Sequence, residues 1–264
     1  MREPVLERHE GRILVLTLND PDRANPLSSA IVSALSGFLE KASVDDGVRA
    51  VVLAGAGRHF SAGADLEALQ RIAKAGNEAA TRADADALRQ LFEILLGYPK
   101  LTVAAVQGAA VAGGCGLATA CDLVVAEPGA RFAYTEVKIG FLAAIVSTFL
   151  TRRVAGHVAR RMLLDPAMVD GPRAVEIGLA DELAREGDAL TTAVELARSI
   201  SAKASPAALA ATKGLLNETV GKGWRQALDA AAEANVRQRM HPDCARGVRA
   251  FLETKKTPDW LDEI

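Results

Sequence analysis

The stretch VQGAAVAGGCGLATACDLVVA, from Val106 to Ala126, carries the strongest structural signal in this chain. Three glycines, Gly113, Gly114 and Gly116, fall within five residues at its centre, between an apolar run and a helix-like run. Such dense glycine indicates that another group approaches the backbone too closely for a side chain. A Gly-rich turn that leads from a strand into a helix also leaves backbone N–H groups free to bind an anion.

A second glycine stretch, HFSAGADL from His59 to Leu66, has the same setting, because it follows a strand that ends near Ala54 and opens a helix. Free N–H groups at a helix start suit either a phosphate or a developing oxyanion. A Walker loop needs Gly-Lys-Ser/Thr, and a dinucleotide fingerprint needs a third glycine where this chain has Thr119. Taken alone, each stretch is equally consistent with glycines that only permit close helix–strand packing.

The composition narrows the class of protein. The chain has 264 residues, half of them hydrophobic, a net charge of −2 and no overall basic character, so we expect no nucleic-acid partner. Its apolar runs are broken well before the roughly 20 residues of a membrane span, and the N-terminus lacks a signal-peptide core. The cysteines have neither zinc-site nor disulfide spacing; they are Cys115, Cys121 and Cys244. These features predict a reduced, cytoplasmic protein without a metal.

The hydrophobic pattern predicts strands first and helices later. Apolar runs predict strands at 12–20, 48–57, 101–108 and 122–128. Helical periodicity predicts helices at 29–43, 65–74, 85–100, 145–156, 172–179, 189–203, 205–219, 224–240 and 245–256. The polar, Ala-rich segment 76–88 is either an exposed helix or a mobile loop. The order favours an α/β core followed by a helical C-terminal part.

Three blocks of the sequence, in order and spacing, resemble the signature blocks of the crotonase superfamily, which comprises enoyl-CoA hydratases, isomerases and relatives. They are HFSAGADLEAL, AVQGAAVAGGCGLATACDLVVA and ARFAYTEVKIGF, and the resemblance extends to NDPDRANPLS, SPAALAATK and ARGVRAFLETKKTPDW. The resemblance implies a crotonase-like spiral of ββα units with two nearly perpendicular sheets. It also implies a core over residues 1–200 and a C-terminal helical region over 201–264 that drives formation of a homotrimer or a dimer of trimers.

The same resemblance assigns the two glycine blocks one task. In the superfamily, one backbone N–H from each block binds the thioester carbonyl oxygen of an acyl-CoA, and the matching donors here are Ala64 and Gly113. Two fixed N–H dipoles stabilise the enolate that forms at this oxygen. Coenzyme A enters as the carrier of the substrate, and no separate cofactor is expected.

Glu136, in YTEVKIGF, matches one of two glutamates that hydratases of the superfamily commonly use, and Gly116 stands where the other would be, in the acyl pocket. Without the resemblance, Glu136 reads as a surface or N-cap residue. One glutamate can serve a hydratase by passing a proton through the same water, or a double-bond isomerase. The glycine at 116, with AAIVS after YTEVKIGF, looks like a bacterial subgroup assigned to 3-methylglutaconyl-CoA in leucine degradation. We therefore favour a hydratase of a short, possibly branched enoyl-CoA, with an isomerase as the alternative.

The resemblance also implies residues that hold coenzyme A. They are Arg23, Ala24, Ala62, Asp65, Leu66 and Lys256, with Trp260 as an aromatic neighbour of Lys256 near the CoA phosphates of another subunit. Arg23 and Lys256 are alternatively solvated surface charges, and Asp65 alternatively caps the helix that follows it.

Other functions and residues are less favoured. A non-catalytic acyl-CoA-binding scaffold is the main alternative outside the enzymes, RNA binding has no support from the charge, and decarboxylase or thioesterase chemistry would use the same oxyanion hole. His59 is expected to be a turn residue, Cys115 a buried filler and Asp122 a structural residue. His157 and His241 are expected at the surface.

Overall fold

The computed structural model describes residues 2–261, with Ala73 described by its backbone alone. The strands are β1 (Val5–Glu10), β2 (Ile13–Leu18), β3 (Ala50–Gly55), β4 (Leu101–Val106), β5 (Ala109–Val111), β6 (Leu123–Ala126), β7 (Arg131–Ala133), β8 (Val169–Asp170) and β9 (Glu182–Leu183). The α-helices are α1 (Ser29–Val44), α2 (Leu66–Ala75), α3 (Glu78–Leu96), α4 (Gly113–Ala120), α5 (Ala144–Arg153), α6 (Gly156–Leu164), α7 (Gly171–Glu176), α8 (Ala189–Lys203), α9 (Pro206–Thr219), α10 (Trp224–Arg239) and α11 (Pro242–Thr254). Two 3₁₀ helices cover Pro21–Arg23 and Glu136–Ile139.

The larger sheet has the strand order β1-β2-β3-β4-β6-β9. Only the β1–β2 pair is antiparallel, and the pairs from β2 to β9 are parallel. Every residue of β3 and of β4 is buried. One face of these strands packs on α8 through small apolar residues, and the other packs on the cluster that includes α1, α3 and α4. Burial of both faces explains the continuous apolar runs from which the parallel strands were predicted.

A second, three-stranded sheet has the order β5-β7-β8. Its strands are two or three residues long, and β5 runs parallel to β7. The sequence analysis did not predict these strands, because segments this short show no periodicity. It also missed β1, an edge strand in which only Val5 is buried, so no run of buried apolar residues marks it. The two sheets and the late helices confirm the predicted α/β class.

The helices follow the predicted pattern closely. The Ser28 side chain accepts a hydrogen bond from the Ile31 N–H and caps α1. Segment 76–88 resolves to a helix, because α3 runs through it behind an Asn77 cap. Helix α6 was not predicted. The predicted boundary between residues 200 and 201 falls inside α8, so the division of the chain into two units stays a prediction.

The last three helices contribute no buried residue to the chain. They expose apolar side chains, at Leu216, Trp224, Leu228, Val236, Met240, Val248, Phe251 and Leu252. After α11 the chain returns to the core, where the Trp260 N–H donates to the Ala202 carbonyl at 2.9 Å. Arg12 and Arg49 donate to the carbonyls of Leu261 and Trp260, which fixes this return. Over residues 2–261, no helix is both long and apolar enough to traverse a bilayer.

Candidate active site

The glycine block HFSAGADL comes first in the chain and is here called the first block, and the block around Gly113 is called the second. The first block is held by the turn after β2. The Ala62 N–H donates to the Ala24 carbonyl at 2.8 Å, and the Leu27 N–H donates to the Gly63 carbonyl at 2.7 Å. Two residues predicted to contact coenzyme A, Ala24 and Ala62, are therefore in direct backbone contact. This pairing leaves the next N–H, that of Ala64, without an acceptor among the residues that the structure describes.

Asn25 organises this block, and the sequence analysis missed it. Its side chain is fully buried, and its amide nitrogen donates to three carbonyls of the following loop, those of Ala56, His59 and Phe60. Its backbone lies at φ 53°, in the left-handed region that Asn tolerates better than most residues. The signal available in the sequence was Asn directly before a proline in ANPL, which favours a turn.

The second block begins with a strained residue. Ala112 lies at φ 51° and ψ −125°, and its N–H donates to the Ala133 carbonyl of β7 at 2.8 Å. The turn at Ala112 ends β5 and starts α4 at Gly113. As the first residue of the helix, Gly113 has no intrahelical acceptor for its N–H, and this group forms no other hydrogen bond within residues 2–261. A strained residue that aims a free donor is typical of a functional site.

The two blocks meet at the predicted donors. The Ser61 N–H donates to the Ala109 carbonyl at 3.0 Å, and the Val111 N–H donates to the Ser61 carbonyl at 2.9 Å. Gly63 lies at φ +89°, and a Cβ there would lie 2.5 Å from the Val111 oxygen, so only glycine fits. A Cβ built on Gly113 would lie 4.0 Å from the Ala64 nitrogen. The structure therefore brings the two free N–H groups together.

The glycines of the second block allow neighbouring elements to approach the backbone closely. This close approach explains why side chains are excluded there. A Cβ at Gly114 would collide with the backbone oxygen of Ser61 in the first block. A Cβ at Gly116 would collide with Cγ1 of Val146 in α5 and lie 3.3 Å from the Phe92 ring. The space beside Gly116 is thus filled by apolar side chains.

Glu136 begins the 3₁₀ helix that follows β7. The residue is only 7% exposed, and its Oε2 atom is buried with no hydrogen-bond partner in the described part of the chain. Burial raises the pKa of this carboxyl, although the N–H groups of Glu136 and Thr135 partly oppose the rise. The charge of Glu136 in turn helps to raise the pKa of Cys115, which places the carboxyl close to α4. A buried carboxylate oxygen without a protein partner is a candidate for contact with a ligand or a water molecule.

Arg23 lies among three carboxylates, one of which belongs to the first block. Its guanidinium pairs with Asp65 at 2.8 Å, and more distantly with Asp20 and Glu67. Asp65 also caps α2, since its Oδ1 accepts from the Ala68 N–H at 3.1 Å. Burial raises the pKa of Asp65, but the hydrogen bonds from Ala68 and Arg23 outweigh burial and lower it overall. Leu66, next in sequence, is exposed. The structure therefore joins Arg23 to Asp65 and leaves Leu66 at the surface beside them.

Lys256 lies in a separate surface groove of about 620 Å³, which also includes Arg246 and Arg249. It is not brought to the glycine blocks within one chain, and its predicted role concerns another subunit. Trp260 is only 5% exposed, and its ring packs 3.3 Å from the position of a Cβ at Gly247. Its role beside coenzyme A on another subunit stays a prediction.

The less favoured residues have structural roles. The His59 ring accepts from the Ala109 N–H at 3.0 Å, and Asp122 accepts from the Thr102 N–H at 2.7 Å and from Lys213. Burial raises the pKa of Cys115 to about 12, so this thiol is a filler and not a nucleophile. His157 and His241 are exposed. Over residues 2–261, no group of three His, Cys, Asp or Glu side chains is placed to hold a metal ion.

A cavity of about 760 Å³ lies elsewhere. It borders the carboxyl ends of β3 and β4 and the start of α8, and Arg58, Arg131 and Glu186 contribute charges of both signs. None of the predicted site residues lines it. We therefore assign the candidate site to the place where the two glycine blocks meet, here called the glycine junction, and not to this cavity. The free donors and an unpartnered carboxylate occur at the glycine junction.

Known proteins resemble this chain in sequence and in fold. A model of the family described as Enoyl-CoA hydratase/isomerase matches residues 8–263. A Thermus thermophilus protein provisionally named as an enoyl-CoA hydratase is 45% identical over 95% of this chain and 98% of its own length. The 2,3-dehydroadipyl-CoA hydratase of Escherichia coli is 33% identical over 98% of this chain and 99% of its own length. The crystal structure of an enoyl-CoA hydratase from Mycobacterium smegmatis matches with a TM-score of 0.90 and 30% identity, over 98% and 99% of the two chains.

These matches extend over nearly the whole chain, so they apply to the sheets, the glycine junction and the C-terminal helices together. They confirm the crotonase-like fold and the superfamily that the three sequence blocks predicted. The chain therefore belongs to the enoyl-CoA hydratase/isomerase family, and it is an enzyme of that family.

Proposed function

We propose that this protein is a hydratase that adds water to, or removes it from, a short enoyl-CoA. The observation that carries the proposal is the buried, unpartnered Oε2 of Glu136, on a segment that is hydrogen-bonded to the start of the helix bearing the Gly113 N–H. A single carboxylate and two free N–H donors provide a base and an oxyanion hole.

The reaction follows from these three groups. The N–H groups of Ala64 and Gly113 hold the thioester carbonyl oxygen, which draws electron density from the conjugated double bond. Glu136 accepts a proton from water as the water oxygen bonds to the β-carbon, and the electron pair moves to the held oxygen. Glu136 then returns the proton to the α-carbon, and the carbonyl reforms. A carboxyl whose pKa is raised by burial suits this double duty near neutral pH.

The specific candidate substrate is 3-methylglutaconyl-CoA, to which the glycine at 116 and the AAIVS segment point. One relative is named for 2,3-dehydroadipyl-CoA, which like the candidate is a thioester of a dicarboxylic acid. Such a substrate needs a cation for its distal carboxylate. Crotonyl-CoA, which has no second carboxylate, is therefore the comparison that decides the acyl class.

A double-bond isomerase is the second candidate, and the contact between Gly116 and Val146 favours it. Because Val146 occupies the space beside Gly116, no second carboxylate can lie there. An isomerase needs only one base to move a proton between the α and γ carbons. Glu136 alone would suffice for that reaction.

The test is a spectrophotometric panel of crotonyl-CoA, 3-methylglutaconyl-CoA and a 3-enoyl-CoA. Loss of the conjugated thioester band in water, reduced about 10²- to 10⁴-fold by Glu136→Gln, supports a hydratase. Glu127→Gln is the matched control, because Glu127 is another buried glutamate, also 7% exposed, outside the site. Appearance of the band only from the 3-enoyl-CoA supports the isomerase. Bound acyl-CoA without either change would contradict both and favour a binding role.

We also propose that the protein forms a homotrimer or a dimer of trimers. The support is the row of exposed apolar side chains on α9, α10 and α11, which a solitary chain would leave in water. Light scattering coupled to size exclusion should give three or six times the 27.7 kDa of one chain. A monomer at micromolar concentration would contradict this proposal.

A further inference from the structure

One buried side-chain hydrogen bond joins the two segments that carry the reacting groups. Tyr134 Oη and Thr119 Oγ1 lie 3.1 Å apart. Tyr134 is 1% exposed and Thr119 is 5% exposed, so water does not compete for this bond. Tyr134 lies two residues before Glu136, and Thr119 lies in α4, whose first N–H belongs to Gly113.

The Tyr134 hydroxyl has a second partner in α4, because it also hydrogen-bonds the Cys115 side chain. Thr119 Oγ1 in turn lies 2.9 Å from the Cys115 carbonyl, one turn earlier in α4. Either hydroxyl can therefore be the donor in the Tyr134–Thr119 bond. Burial raises the pKa of Tyr134 well above its ordinary value, so the phenol keeps its proton across the working pH range.

The same two segments are also paired through their backbones. Strands β5 and β7 pair from Ala109–Arg131 to Val111–Ala133, and the Ala112 N–H donates to the Ala133 carbonyl at 2.8 Å. This pairing ends before Gly113 on one side and before Glu136 on the other. Beyond its end, the Tyr134 hydroxyl links the two segments through its side-chain bonds to α4.

We propose that Tyr134 and Thr119 are positioning residues, whose hydrogen bond fixes the Glu136 carboxyl relative to the Gly113 N–H. This inference rests on the proposed function, in which the N–H holds the thioester oxygen while the carboxyl serves the adjacent carbons. The reacting carbons lie within a few bonds of that oxygen, so the two groups must keep one spacing. Misplacement by about 1 Å costs roughly 10²-fold in rate.

The experiment compares Tyr134→Phe, Thr119→Val and the double variant with a matched control. Tyr98→Phe is that control, because Tyr98 is also 1% exposed and its hydroxyl donates to the Leu39 carbonyl at 3.0 Å, outside the site. Both Phe variants should lower Tm by about 2–4 °C, the effect of one buried hydrogen bond in a chain of this size.

The split between kcat and KM separates positioning from packing. We expect Tyr134→Phe to lower kcat roughly 10- to 100-fold with KM within twofold, and Thr119→Val to do the same. The double variant should resemble Tyr134→Phe, because that change by itself already removes the bond to Thr119. Tyr98→Phe should keep full kcat. Equal kcat in Tyr134→Phe and Tyr98→Phe would overturn the inference.

A binding measurement makes the test independent of turnover. Acetoacetyl-CoA can ionise to an enolate that needs both Glu136 and the N–H donors, whereas butyryl-CoA cannot. Titration calorimetry gives the ratio of the affinity for acetoacetyl-CoA to the affinity for butyryl-CoA. Tyr134→Phe should lower this ratio about tenfold and leave the butyryl-CoA affinity unchanged. If the wild type turns over no enoyl-CoA, the proposed function fails, yet this ratio still decides the inference. An unchanged ratio, or no preference in the wild type, overturns it.

Discussion

Val146 of α5 occupies the space into which any side chain at Gly116 of α4 would point. The contact is between one methyl group and a bare backbone carbon, and the Phe92 ring closes the same space from α3. Phe92 itself packs on Phe149, with ring centroids 5.3 Å apart. The glycine at 116 is therefore matched to its apolar surroundings, and a single substitution cannot restore a second carboxylate.

The contact predicts a dependence between positions 116 and 146. Gly116→Glu should lower the free energy of unfolding by at least the roughly 1–3 kcal/mol of an overpacked core, because the carboxylate meets Val146 without a partner. Val146→Gly in the same chain should recover part of this loss. Urea unfolding of the two single variants and the double variant measures the coupling, and strict additivity would show that the two positions do not share space.

The raised pKa of Glu136 predicts how the hydration rate depends on pH. The base must be ionised to accept a proton from water, and burial shifts its ionisation to higher pH than that of an ordinary glutamate. kcat/KM for hydration should therefore fall as pH falls through this raised pKa. A pH profile from 4 to 9 checks the prediction, and an acid limb at or below the usual glutamate pKa of about 4.3 would contradict it.

The same shift predicts a stability effect of opposite sign to the activity effect. Because the folded-state pKa of Glu136 is above the unfolded value, the folded state binds more protons in the interval between them, and stability falls as pH rises through that interval. Glu136→Gln removes this cost. We expect Glu136→Gln to have a higher Tm than the wild type near pH 8 and an equal Tm near pH 4, measured by calorimetry. Glu136→Gln less stable at pH 8 would contradict the burial argument.

The geometry of the glycine junction predicts different outcomes for its two sides. Gly113→Val should cost about 10²- to 10³-fold in kcat, because the branched side chain enters the space that we propose for the thioester oxygen. Its Cβ would meet only the flexible end of Leu27, at 3.2 Å, so folding should be little affected. Gly63→Ala should lower Tm as well as activity, because position 63 has positive φ and faces the Val111 oxygen. Equal Tm losses in the two variants would contradict this distinction.

The charge at Arg23 predicts a specific effect on coenzyme A. Arg23→Ala should raise KM for CoA thioesters roughly tenfold or more, the scale of one charge-assisted hydrogen bond, and leave KM for the matching pantetheine thioester unchanged. Arg89→Ala is the control, because Arg89 is also exposed and ion-paired, in its case with Asp86 and Glu93. If both variants raise KM equally, the effect is one of net charge.

Much of the fold could be predicted because its signals are local. The apolar runs of β3 and β4 are consecutive residues, and both are buried strands in the structure. The cap at Ser28 likewise depends only on residues that are close to it in the chain. Helix α6 and the short strands β5, β7 and β8 were missed, because these strands exist only through pairing with distant segments. The buried amide of Asn25 was missed for the same reason, since its partners lie more than thirty positions away.

For the candidate site, the sequence by itself determined the residue types: two glycine blocks, one glutamate and no second carboxylate at position 116. Only the tertiary structure decided how they meet. It set the two free N–H groups side by side, buried Glu136 until its pKa rose, and filled the space beside Gly116 with Val146. The physical reason is that backbone conformation and hydrophobic periodicity act over a few residues, whereas burial and close approach are properties of segments that the chain brings together from far apart.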